Sequence, residues 1–206
     1  MKKITFYLLG FITVISLVAC DNGNRKQNNS SSSTIVDDSS TLVESNSKVL
    51  VAYFSATGNT ESVAKEIADT TGGDLFEITP QNPYTDDDLN WSNRNSRVVQ
   101  EYENESQRET ELVQTTVDNW DDYDTVFVGY PIWWGQAAWP INDFITSNDF
   151  SGKTVIPFAT SSSSEIGDSG TNLATMAGTG DWQEGQRFSG SGNSSEIKDW
   201  LQELGY

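Results

Sequence analysis

The chain has 206 residues, 12 Lys and Arg against 30 Asp and Glu, and a formal net charge of −18. It holds no histidine and one cysteine, which excludes Ser-His-Asp and Cys-His catalysis, dithiol redox chemistry, intrachain disulfides and zinc sites built from His and Cys. Any chemistry must come from carboxylates, hydroxyls or a bound cofactor.

Lys2 and Lys3 precede the apolar stretch "ITFYLLGFITVISLV", which runs into "LVAC" at Cys20. The stretch is shorter than the ~20 residues that a membrane-spanning helix needs, and basic, apolar and small residues in that order make an export signal. "LVAC" resembles the bacterial lipobox. That resemblance implies a signal peptide over residues 1–19, lipidation of Cys20 and an extracytoplasmic protein held to the cell membrane by its lipid. Residues 20–47 are rich in Ser and Asn with no periodic apolar pattern, so they are expected to form a disordered tether. Residues 1–47 carry four basic and four acidic residues, so the whole excess of negative charge falls on 48–206. Such a domain repels nucleic acid and anionic membrane surfaces, and its acidity serves solubility first and a basic partner second. A monomer is expected, touching the membrane only through its anchor.

From Lys48 strands and helices alternate. "KVLVAYF" (48–54) is a short apolar run without polar alternation, which predicts a strand buried on both faces of a parallel sheet. "TESVAKEIADTT" sets Val63, Ala64, Ile67 and Ala68 along one helical stripe, ended by Gly72 and Gly73. Further strands are predicted over 74–80, 125–131 and 153–160, with a weaker fifth within 182–190. Helical stretches are predicted around 96–118, 139–147, 168–177 and 194–204. This alternation predicts a doubly wound α/β fold over 48–206. Residues 81–95, "QNPYTDDDLNWSNRN", interrupt it. Asp86, Asp88 and Asn90 have calcium-loop spacing, but Trp91 stands where the turn needs glycine and Arg97 where a bidentate Glu belongs. A solvated loop is the reading.

Ligands of open α/β sheets bind outside the carboxyl ends of the strands. The first strand-to-helix turn, "YFSATGNT", offers backbone amides together with Ser55, Thr57, Asn59 and Thr60, while Gly58 permits a tight turn. It suits a phosphate, yet lacks the lysine of a nucleotide phosphate loop and the three glycines of a dinucleotide loop. After the third strand, "GYPIWWG" presents Pro131, Ile132, Trp133, Trp134 and Gly135, aromatic faces suited to stacking on a flat ring. After the fourth, "ATSSSSEIG" presents Thr160, Ser161, Ser162 and Ser163 at the same end of the sheet.

These three loops together resemble the flavodoxin family, over nearly all of residues 48–206. The resemblance implies a three-layer α/β/α sandwich around a five-stranded parallel sheet of order 2-1-3-4-5. It also implies flavin mononucleotide (FMN) as cofactor: Ser55, Thr57, Gly58, Asn59 and Thr60 at the phosphate, residues 131–135 with Trp133 or Trp134 stacked on the ring, and the backbone of Thr160–Ser163 at its polar edge. "YTDDDLNW" with "NSR" is similar to an insertion of one subgroup. That subgroup carries "TSGGS" where this chain has Thr160 to Ser164. Serine lacks the torsional freedom of glycine, so weaker or altered flavin binding is expected.

The leading expectation is an electron-transfer flavoprotein serving a redox partner protein or a small electron acceptor, with flavin loaded after export. Two alternatives stand beside it. One is an FMN-dependent NAD(P)H:quinone-type reductase, against which the adjacent tryptophans count because they close space over the ring. The other is a flavin-free binding module that meets partners through Trp91, Trp120 and Trp182.

Overall fold

The computed structural model describes residues 48–206; the export signal, Cys20 and the tether lie outside the described residues. In chain order the elements are β1 (Val49–Tyr53), α1 (Asn59–Thr71), β2 (Asp74–Glu77), α2 (Arg97–Glu103), β3 (Thr125–Trp133), β4 (Gln136–Ala137), α3 (Asn142–Ser147), β5 (Thr154–Ser161), α4 (Ser169–Ala177), β6 (Asp181–Trp182), β7 (Gln186–Ser189) and α5 (Ser194–Glu203).

All five residues of β1 are buried, and their two-residue side-chain period divides them between two cores. Val49, Val51 and Tyr53 meet Val63, Ala64 and Ile67 of α1 and Ile197 and Leu201 of α5. Leu50 and Ala52 face the opposite core with Phe144 and Ile145 of α3 and Leu173 of α4. β3 and β5 divide in the same way, Phe127, Ile156 and Phe158 on the first side and Val126, Val128, Val155 and Ala159 on the second. A sheet with a dry core on each face is the three-layer sandwich expected. α1 stops where the glycines predict, with Gly72 in the left-handed region at φ 70° and the Gly73 N–H donating to the Ala68 carbonyl at 3.1 Å.

The strand order β2-β1-β3-β5-β6 is all parallel along that path. The expected five strands become seven, for two reasons. β4 is a two-residue strand that turns back antiparallel on the end of β3. The fifth position is split between β6 and β7, both parallel to β5. Pro157 accounts for the split. The Gln183 N–H donates to the Val155 carbonyl at 2.8 Å, so residue 157, two along β5, faces the same neighbour and has no N–H to offer. The pairing of Val155 with Trp182 becomes Phe158 with Gln186, one extra residue on the outer strand, which is a bulge opposite the proline.

The helix expected over 96–118 is a second correction. α2 ends at Glu103, and a single 3-10 turn, Glu105–Gln107, follows. Asn104 ends the helix by taking an extended backbone and accepting the Ser106 N–H on its side chain. Beyond it the chain runs back along residues 79–81, with a bridge between Pro80 and Leu112. Residues 81–112 thus form a compact flap beside the carboxyl ends of β1 and β3. The strand expected over 74–80 ends at Glu77, because the chain leaves the sheet edge to enter this flap.

Candidate functional site

The three predicted loops meet at one end of the sheet. A cavity of about 500 Å³ lies between them, lined by Thr57 and Asn59 of the first loop, Pro131, Ile132 and Trp133 of the second, and Thr160, Ser161 and Ser162 of the third, with Trp91, Ser189 and Gly190 completing the wall. No charged side chain is in that lining.

The first loop is built by its own hydroxyls. Gly58 sits at φ 83° and its N–H donates to Ser55 Oγ at 3.1 Å, while Asn59 Nδ2 donates to Thr57 Oγ1 at 3.3 Å. Ser55 therefore shapes the turn rather than lining the cavity. Ser62 N–H and Oγ both reach the Gly58 carbonyl, at 3.0 and 2.9 Å, which fixes the start of α1. The N–H groups of Asn59, Thr60 and Glu61 then fall in the first helical turn, where α-geometry supplies no acceptor. Thr60 is fully buried, and its hydroxyl pairs with that of Thr160 at 2.8 Å. Thr60 thus ties the first loop to the third.

The second loop proves to be a hairpin. β3 and β4 pair Ile132 with Ala137 and Trp133 with Gln136, leaving Trp134 and Gly135 as a two-residue turn with φ 47° and 77°. Positive φ at both positions is a type I′ geometry, and at a tryptophan it costs of order 1–3 kcal/mol. Trp134 is held there by stacking on Tyr102 of α2, centroids 4.4 Å apart and planes 9° apart. Trp133 is turned the other way and packs edge-on against Phe54, Tyr84 and Trp139 at 5.7, 5.2 and 4.8 Å. Gly135 serves the turn and is not in the cavity lining.

Behind Trp133 stands a group that the sequence did not announce. Glu101 of α2 is 5% exposed. Its carboxylate accepts from Tyr84 Oη at 2.6 Å, Trp139 Nε1 at 2.7 Å and Arg97 Nε at 2.7 Å. Arg97 lies 3.9 Å over the Tyr84 ring and also donates to the Asn82 carbonyl. Burial first, and then the bond to Glu101, raise the Tyr84 hydroxyl well above the ordinary tyrosine range, so it stays a donor. A Glu four residues after an Arg reads in sequence as a solvent-face pair, which hides this role.

The third loop leaves β5 at Ser161. Ser161 Oγ bonds the Ser164 carbonyl, which also takes a bond from Arg187 Nε at 3.2 Å. Ser162 and Ser163 are exposed, and Ser163 is outside the cavity lining. Among the described residues Asn119 and Trp134 are the non-glycines with positive φ. The serines thus hold this loop without the torsions that favour glycine.

A second cavity of about 330 Å³ adjoins the first. It shares Thr57, Trp91, Pro131, Ile132 and Trp133, and adds Ala56, Leu89, Val98 and Trp134. Trp91, from the polar flap, is 76% exposed and lines both cavities. In sequence it is a residue of the polar insertion and a candidate partner contact, with no signal that places it at the cavity. Trp120 and Trp182, grouped with it there, pack inward, their indole N–H groups bonded to the carbonyls of Asp149 and Thr179 at 2.7 and 2.9 Å.

A neutral cradle of hydroxyls at a helix N-terminus, beside an aromatic wall and a polar loop, has the donor set that a flavin phosphate, its ring faces and its ring edge require. Comparisons with known proteins agree with the fold. A protein described as a flavoprotein from Bacteroides eggerthii is 42% identical with TM-score 0.69, the match covering 78% of this chain and 99% of that one. A second from Bacteroides uniformis is 40% identical with TM-score 0.69, over 76% and 98%. A flavoprotein from Lactobacillus acidophilus, solved in complex with FMN, shares 20% identity and TM-score 0.56 over 75% and 99%, a likeness of fold. No curated protein matches the chain. The profile of the flavodoxin family matches residues 48–204, and the chain belongs to that family.

Proposed function

We propose that the chain is an FMN-binding electron-transfer flavoprotein, held outside the cytoplasm by a lipid on Cys20. The observation that carries the cofactor is the 500 Å³ cavity in which all three loops converge. Thr57 and Asn59, with the first-turn amides of α1, would hold the phosphate. The positive end of the helix dipole favours an anion there, and Glu61, in the same turn, is paired with Lys65. Trp133 and Trp91 would flank the ring, and Thr160, Ser161 and Ser162 would meet its polar edge. Bound FMN supplies the electron chemistry that a chain without histidine and with one cysteine lacks. The protein's part is to orient the ring and exclude water. Membership in the flavodoxin family supports the cofactor, and the lipobox resemblance supports the anchor.

The test is titration of the chain with FMN, followed by visible absorbance and by flavin fluorescence. Saturable binding with one FMN per chain supports the reading. A chain that leaves added FMN unchanged overturns it and favours a flavin-free module.

The reductase reading keeps one observation in its favour. Trp133 packs into the flap and Trp134 onto Tyr102, so the tryptophan pair does not close the site; open space remains beside the first cavity.

A further inference from the structure

Most cations of this acidic domain are already engaged. Lys48, Lys65, Arg97, Arg108 and Lys198 are in ion pairs, and Lys153 is buried with its ammonium on the carbonyls of Trp120 and Tyr123. Among the described residues that leaves Arg94, exposed on the flap, and Arg187, half-buried in β7.

The strand aims Arg187 at the site. Phe188 enters the core shared with α1 and α5, so its neighbours Arg187 and Ser189 lie together on the opposite face. Ser189 lines the first cavity. Arg187 pairs with Ala159, two residues before the pair of Ser161 with Ser189, and its side chain reaches the third loop, where Nε donates to the Ser164 carbonyl at 3.2 Å. The same carbonyl accepts from Ser161 Oγ. Two bonds on one acceptor put Arg187 Nε within ~6 Å of Ser161 Oγ, and Ser161 is in the cavity lining. A guanidinium stays protonated in proteins, so a fixed positive charge stands behind the loop that would meet the polar edge of FMN.

We propose that Arg187 is the counter-charge of reduced FMN, a positioning residue that acts on the ring through the third loop without touching it. The inference rests on FMN occupying the first cavity, and it names how that site sets its potential. On taking up two electrons and one proton the ring gains one negative charge, held largely at its N1 and C2-carbonyl edge. The net charge of −18 opposes that gain, and Arg187 is the cation placed to offset it locally. A ring edge bonded to Ser161 would lie within ~9 Å of the guanidinium, three hydrogen-bond lengths away. At that separation and an effective dielectric constant of ~20, discounted for the exposed part of the side chain, one unit charge shifts an equilibrium constant about tenfold. The oxidised ring is neutral, so the shift falls on the reduced form.

The experiment uses the full chain loaded with FMN, as wild type, Arg187→Gln and Arg187→Lys. Gln keeps an N–H donor for the Ser164 carbonyl and removes the charge; Lys keeps the charge and loses the planar fork. Flavin fluorescence gives the affinity for oxidised FMN, and a spectroelectrochemical titration against free FMN gives the ratio of reduced to oxidised affinity. Oxidised FMN should bind all three within threefold. The ratio should fall about tenfold in Arg187→Gln, a midpoint ~30 mV lower for a two-electron couple, and less than threefold in Arg187→Lys. The difference between wild type and Arg187→Gln should shrink between 0.01 M and 1 M salt, as screening of a half-exposed charge requires. An unchanged ratio in Arg187→Gln overturns the inference, and so does an equal fall in both variants, which would assign the effect to geometry. Loss of oxidised FMN from Arg187→Gln also overturns it, because Arg187 would then be a strut of the loop. Failure of the wild type to bind FMN is seen before any potential is measured and overturns the cofactor reading as well.

Discussion

Replacing Glu101 with Ala tests whether the flap is held by one buried carboxylate. Three donors converge on that group: Trp139 Nε1 and Tyr84 Oη on one oxygen, Arg97 Nε on the other. Trp139 is 2% exposed, so its N–H would be left without an acceptor, at ~1–3 kcal/mol, and the Tyr84 hydroxyl would lose its partner at a similar cost. Arg97 keeps the Asn82 carbonyl at 2.7 Å and its side chain is about a quarter exposed; its share is therefore smaller than the ~3–5 kcal/mol of a fully buried broken pair. The sum is about 3–4 kcal/mol, or ~6–16 °C in Tm for a domain of this size. Glu101→Gln retains one carbonyl oxygen for Trp139 and Tyr84 but turns an amide N–H₂ toward Arg97, so about half that loss is expected. Thermal unfolding by circular dichroism measures both. FMN affinity should fall in parallel, since Trp139 supports Trp133 edge-on. A Glu101→Ala protein melting within ~2 °C of the wild type would refute the role given to this carboxylate.

Gly129 lies where β3 crosses the Phe158 ring, and an added Cβ would fall 2.1 Å from Phe158 Cζ. Gly129→Ala should cost at least ~1–3 kcal/mol by overpacking, and Phe158→Leu in the same chain should recover part of it; a wild-type melting point for Gly129→Ala alone would contradict the packing. Burial raises the hydroxyl of Tyr130 to about 12, and burial with the Glu77 and Glu61 charges raises that of Tyr53 to about 12. A raised tyrosine pKa favours the fold fully below the ordinary value of 10.0 and loses that contribution as pH climbs to about 12. Alkaline unfolding in this window, coinciding with late phenolate absorbance, is expected; two tyrosines ionising at the ordinary value in a chain that stays folded would contradict it. The potential of bound FMN should rise with salt, because the net charge of −18 disfavours adding electrons and screening shortens from ~30 Å at 0.01 M to ~3 Å at 1 M. A spectroelectrochemical titration that gives one potential across this range would remove the electrostatic argument.

The legible parts of this protein are those in which one short segment carries its own signal. β1 and α1 could be read because an unbroken apolar run, a small polar turn and a 3.6-residue stripe follow one another within residues 48–73, and the structure places each within one or two residues. The three loops converged as read because strand ends in a parallel sheet lie at one edge. What was not legible depends on partners distant in sequence. Trp134 in a left-handed turn contradicts local preference, and Tyr102, which holds it, is 32 positions earlier. Trp91 looked like one more exposed residue of a polar insertion until the flap folded over the site. Thr60 was read as a free donor, but its bond to Thr160 spans 100 positions.

The split fifth strand shows how a single backbone deficiency can shape a site. Pro157 removes the donor that would have continued the ladder outward from β5, and Gly185, opposite it, has no room for a side chain, since a Cβ there would lie 2.7 Å from the Pro157 carbonyl. The outer strand therefore breaks after Trp182 and resumes at Gln186, one residue out of its former register. In the new register β7 pairs Ser189 with Ser161, and the Gly190 N–H reaches the Ser161 carbonyl at 3.4 Å. Ser189 and Gly190 thereby enter the cavity wall, and Arg187 comes within reach of the Ser164 carbonyl. The third loop, which has serines where glycines were expected, is thus held from the β7 side by bonds that depend on the register shift. Restoring a donor at position 157 with Pro157→Val should favour a continuous outer strand. The expected result is a protein as stable as the wild type or more so, with weaker FMN binding because Ser189 and Gly190 move out of line with the cavity. Unchanged FMN affinity in a folded Pro157→Val chain would show that the break in the strand and the form of the site are independent.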